Sequence, residues 1–91
     1  MIEQSSDYYP TKIFIQTVDR FECDQGDPMQ SMNRDLIHAQ ICDRIEGYSI
    51  THERFEGVVI RRSFKEFCSN KSDLNQGIPL NRYLTIYIQN Q

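Results

Sequence analysis

The chain has three cysteines, Cys23, Cys42 and Cys68, but no Cys-x-x-Cys pair. Structural zinc sites are normally built from paired ligands two to four residues apart. His38 and Cys42, four apart, with Cys23, His52 and Cys68 elsewhere, do not make such a set. An odd, widely spaced group of thiols also argues against the even, dense disulfide framework of a small secreted domain. The four glycines, Gly26, Gly47, Gly57 and Gly77, stand apart from one another, which excludes a glycine-rich phosphate loop. No Ser or Cys lies in a local signature with a base, so nucleophilic catalysis has no support. No apolar run approaches the length of a membrane span, and residues 1–7 lack the basic and apolar segments of a signal peptide. The expectation is a cytoplasmic, non-enzymatic protein with no metal, no cofactor and no membrane association.

Positive charge is also scarce. The net charge is -3, which disfavours wholesale binding to nucleic acid. The imbalance is uneven. Residues 1–46 carry nine acids against four bases, and residues 47–91 carry four against six, so the first half is -5 and the second +2. Four of the acids, Asp19, Glu22, Asp24 and Asp27, cluster around a turn-rich stretch. The stretch Asp24-Gln25-Gly26-Asp27 is too short for an EF-hand calcium loop and lacks its closing Glu.

What is present is a near-copy. Residues 43–50 read Asp-Arg-Ile-Glu-Gly-Tyr-Ser-Ile, and residues 53–60 read Glu-Arg-Phe-Glu-Gly-Val-Val-Ile. Each Glu-Gly precedes an apolar or β-branched run, so each glycine reads as a turn where one element ends and a strand begins. With 91 residues, 38% hydrophobic and 11% aromatic, the chain makes one small packed domain. Residues 1–10 read as a loose N-terminal arm and 11–91 as a single domain.

Within that domain, 12–21 predicts a first strand with apolar groups on both faces. Asp27-Pro28 is a helix-start signal and Gly47 a helix stop, so 29–46 predicts one long helix. A strand is the alternative, since Ile37, Ala39, Ile41 and Ile45 share one parity. Residues 48–54 and 58–64 predict a hairpin around Phe55-Glu56-Gly57, with Tyr48, Ile50, Val58, Ile60 and Phe64 facing the core. A short helical turn at 65–70 would put Phe67 and Cys68 inward. A loop over 71–81 and a last strand over 82–89 follow, with Leu84, Ile86 and Ile88 opposed to Tyr83 and Tyr87. The expected fold is α+β: an antiparallel sheet of about four strands, packed by one long helix, in β-α-β-β-(short α)-β order compatible with a ferredoxin-like sandwich.

In that arrangement the sheet face away from the helix would carry Phe14, Val18, Val59, Tyr83 and Tyr87, with Arg61 and Arg62 beside them. Tyr and Arg are favoured at protein interfaces. The expected function is therefore binding to another protein, through this face or through the acidic loop Asp19, Glu22, Asp24 and Asp27. The small size and acidic first half fit a phage-encoded inhibitor of a host defence nuclease complex, of anti-CRISPR or anti-restriction type. One alternative is an RNA or single-stranded DNA-binding module stacking bases on Phe14, Tyr83 and Tyr87 with Lys12, Arg61 and Arg62 nearby. Against it, Gly57-Val58-Val59-Ile60-Arg61 places aliphatics where stacking aromatics belong. A small enzyme, and a homodimer pairing through the strand 82–89, are the remaining alternatives.

Overall fold

The computed structural model describes residues 11–19, 25–67 and 81–90. They form one five-stranded sheet: β1 (Thr11–Thr17), β2 (Gln25–Ser31), β3 (Arg44–Tyr48), β4 (Arg54–Phe67) and β5 (Asn81–Gln89), in spatial order β2-β1-β5-β4-β3. The sheet is mixed, with β1 and β5 parallel and every other pair antiparallel. It also curls. β2 and β3 lie at opposite ends of the order, yet the Ile50 N–H donates to the Gln30 carbonyl at 2.8 Å. The result is a half-barrel.

This corrects the α+β expectation. No long helix spans 29–46: that stretch holds the end of β2, a five-residue 3-10 helix at Arg34–His38 and the start of β3. Asp27-Pro28 lies inside β2. The physical reason is β1, whose backbone needs a partner on the edge away from β5. Residues 25–31 supply it, pairing Met29 with Ile15 and Ser31 with Ile13. Helix propensity, worth only tenths of a kcal/mol per residue, gives way to those bonds and to burial. The 3-10 turn is set by Asn33, whose side chain accepts the Asp35 N–H at 3.0 Å. It drops Leu36 and Ala39 into the concave side of the sheet.

The core lies inside the curl. Ile13 and Ile15 of β1, Phe55 and Val59 of β4, and Leu84, Ile86 and Ile88 of β5 are all at most 3% exposed. Each such side chain contributes about 1.5–3 kcal/mol by leaving water.

The two sequence copies form the arms of one hairpin. Arg44 pairs with Val58, Ile45 with Gly57, Glu46 with Glu56 and Gly47 with Phe55. The turn therefore sits at 49–53, not at Phe55-Glu56-Gly57, and His52 supplies its positive φ of 70°. Ser49 organises it, its hydroxyl accepting from the Thr51 and Glu53 N–H groups at 3.2 and 3.1 Å. Gly47 and Gly57 mark close approaches instead. A Cβ at Gly47 would lie 3.0 Å from the Phe55 ring, and one at Gly57 2.9 Å from the Gln89 carbonyl oxygen. The expected inward set fails accordingly: Tyr48, Ile50, Ile60 and Phe64 are exposed, and Phe55, Gly57 and Val59 face the core.

Lys65 and Phe67 belong to β4, not to a short helix, and Phe67 points outward, 51% exposed. The strand expected at 82–89 is present as β5, but at the centre of the sheet with both edges paired, which removes it as a dimer edge. The expected arm at 1–10, the loop around Glu22, Cys23 and Asp24, and the segment 68–80 with Cys68 and Gly77 lie outside the described residues. Among the described residues, no helix is long and apolar enough to cross a membrane.

Candidate functional site

Strand alternation sends every second side chain of β1, β5 and β4 to the convex face. β1 contributes Lys12, Phe14 and Gln16, and β5 contributes Tyr83, Thr85 and Tyr87 in register beside them. In β4 a bulge decides the outcome. Val59 pairs with Ile88 and Arg61 with Tyr87, so Ile60 is an extra residue. Without it, Arg61, Ser63, Lys65 and Phe67 would fall on the core side. The bulge moves all four to the convex face, the kind of re-aiming for which such irregularities are known.

Three rows result across the strands: Lys12, Tyr83 and Lys65; Phe14, Thr85 and Ser63; Gln16, Tyr87 and Arg61. Phe67 stands just beyond the first. The Tyr83 ring lies 6.1 Å from Phe14 and 5.7 Å edge-on to Phe67, centroid to centroid, within the range where aromatic pairs attract. The Lys12 ammonium is 5.9 Å from the Tyr83 centroid, and the Arg61 guanidinium lies over Tyr87 at 3.9 Å. The small Thr85 of the middle row floors a shallow basin walled by Phe14, Pro28, Lys65, Phe67 and Tyr83. A second cleft is lined by Val18, Ile60, Arg61 and Tyr87. Gln16 is buried and shapes the rim, its Nε2 donating to the carbonyls of Gly26 at 3.1 Å and Thr17 at 3.2 Å.

Of the residues expected on this face, Phe14, Tyr83, Tyr87 and Arg61 meet there, Val18 lies just beyond the end of β1, and Val59 is buried in the core, on the near side of the bulge. Arg62 does not. It follows the bulge inward at the level of Ile86 and donates to the carbonyls of Ile37, at 3.0 Å, and Ala39, holding the 3-10 segment onto the core. Lys65, Phe67 and Thr85 belong to the face and escaped the sequence reading. For Thr85 the available signal was its step of two between Tyr83 and Tyr87; for Lys65 and Phe67, turned outward by the bulge, the sequence holds none. The acidic loop is only half described. Asp19 lies beyond the end of β1, Asp27 is exposed in the irregular part of β2, and Glu22 and Asp24 lie outside the described residues.

Charge of both signs gathers instead at the far end of the sheet, on the β3–β4 hairpin. Arg54 bonds Glu56 at 2.8 Å and Glu46 at 3.0 Å, and Arg44 also pairs with Glu56. The hydrogen bond from Arg54, then that from Arg44, holds the Glu56 carboxyl below the usual carboxylate range, and the same bond raises Arg54. These groups are exposed and screened. Among the described residues, no three His, Cys, Asp or Glu side chains stand together as metal ligands, and Cys42 is an exposed free thiol. No family model, curated protein or solved structure matches the chain.

Proposed function

We propose that this chain is a non-enzymatic binding protein that engages a negatively charged macromolecule through the convex face of its half-barrel. One observation carries the reading. The outward rows of β1, β5 and β4 hold Phe14, Phe67, Tyr83 and Tyr87 with Lys12, Arg61 and Lys65, and no carboxylate. The concave side is filled by the protein's own core, so of the sheet's two faces the convex one is left to a partner, with Phe67 exposed on it and Phe14, Tyr83 and Tyr87 half-buried. Aromatics with a polar handle, together with Arg, give binding surfaces their strongest anchors. An inhibitor that instead presents acids would rely on Asp19, Glu22, Asp24 and Asp27, and the two of these that are described stand outside the rows.

A photo-crosslinking amino acid at Thr85, in the middle row, tests this in cells that make the protein. The same group at Glu46, on the hairpin, is the control. Adducts are expected at 85 and not at 46. Equal yields at both positions, or none at 85, would overturn the reading.

A further inference from the structure

Resting on that reading, we infer that the occupant of the convex face is a single-stranded polynucleotide, with bases on the Phe67–Tyr83–Phe14 ribbon and backbone phosphates at Lys12 and Lys65. Single strands are bound where π-faces alternate with cations on an open sheet, because every base has a face to stack and every nucleotide carries a charge. Tyr83 sits on the central strand with a lysine in register on either side, Lys12 on β1 and Lys65 on β4. The ring spacings of 5.7 and 6.1 Å make a continuous aromatic ribbon across three strands. Thr85, which lines the basin beside it, leaves room for a flat group. One row further on, the Arg61 guanidinium sits over the Tyr87 ring at 3.9 Å, and arginine over an aromatic ring is a mode that serves unpaired bases well.

The overall charge of -3 does not oppose this locally. Acids and bases balance among the described residues, and the carboxylates Glu46 and Glu56 are tied to Arg44 and Arg54 at the far hairpin. At physiological salt, fields between exposed charges fade over roughly 8 Å. An acidic peptide shares the charge but lacks the repeated flat rings that the ribbon matches.

The test is fluorescence anisotropy of labelled dodecamers of uridine and of thymidine with the full chain, in parallel with a labelled oligoglutamate. Both oligonucleotides are expected to bind. With phosphates at two lysines, log K should fall against log salt with a slope of about -1.4. Lys12→Glu with Lys65→Glu should abolish that slope. Tyr83→Leu, which keeps apolar bulk and removes the π-face, should weaken binding about tenfold. Glu46→Gln, outside the face, should change nothing, and unchanged far-ultraviolet dichroism verifies folding of each variant. Oligonucleotide binding that survives both the lysine and the tyrosine changes would overturn the inference. So would saturable oligoglutamate binding without oligonucleotide binding, although the convex-face reading would then stand. Absence of binding to every probe defeats the inference. The crosslinking at Thr85 separately decides the broader reading.

Discussion

Gly57→Ala is the sharpest probe of this fold, because its sign is set by geometry. Gly57 lies in β4 opposite Ile45, with β5 on its other side. In an unconstrained position Gly→Ala stabilises a protein by about 0.4–1 kcal/mol, through the unfolded chain. Here the new methyl would meet the Gln89 carbonyl oxygen at 2.9 Å, its carbon at 3.1 Å and the Ile88 Cβ at 3.2 Å. The first two are backbone atoms of the central strand, which β1 holds from the far side. They retreat only if the β4–β5 ladder opens. Overpacking of this kind costs about 1–3 kcal/mol, so the net expectation is a loss of about 1–2 kcal/mol. Urea unfolding followed by circular dichroism should show the midpoint falling by roughly 1 M at an unchanged slope. The melting temperature should fall by about 4–8 °C per kcal/mol. A variant as stable as the parent, or more so, would refute the contact and the β4–β5 register behind it. Gly26→Ala is the contrasting control. Nothing lies within 4 Å of its Cβ, and its cost comes from φ of +68°. Gly26→Asn should therefore recover part of that loss, whereas Gly57→Asn should be worse than Gly57→Ala.

Three further outcomes are expected. Ile86→Ala, at a fully buried site on the central strand, should cost about 2–5 kcal/mol in urea unfolding. Arg62→Ala removes the donor to the Ile37 and Ala39 carbonyls; it should cost about 1–3 kcal/mol and speed amide exchange over 34–40. The stabilising effect of Glu56, read as the difference between parent and Glu56→Gln, depends on a carboxyl whose folded pKa is lowered. It should be fully present above the unfolded value of roughly 4.3 and vanish as pH falls through the lower folded value. A carboxyl carbon titration of Glu56 by NMR with its midpoint at or above the unfolded value would contradict the assignment.

The strands with clean alternation were legible in the sequence. Ile13 and Ile15, and Leu84, Ile86 and Ile88, are the core that their parity announced. The helix was not, because its signals were local. Asp27-Pro28 caps a helix only if the following residues are free to coil, and β1 claims them as a ladder partner. The repeat was recognised but read as two turns, because a glycine that lets a neighbouring chain come close looks the same in sequence as one that turns the chain. The half of the site on β1 and β5 followed from parity. The half on β4 depended on the extra residue at Ile60, and a bulge leaves no mark in composition or periodicity. For the same reason Arg61 and Arg62, adjacent in the chain, were read as partners although they serve opposite faces.

The parallel pairing of β1 with β5 has a kinetic consequence. It joins residues 11–17 to residues 81–89, the greatest chain separation between any paired strands here, while β3 and β4 are neighbours across a short turn. Loop closure makes the distant pair the slow event, and the hairpin the early one. During synthesis the middle of the sheet therefore stays open until residue 89 has left the ribosome, and Ile13 and Ile15 wait in water for the strand that will shelter them.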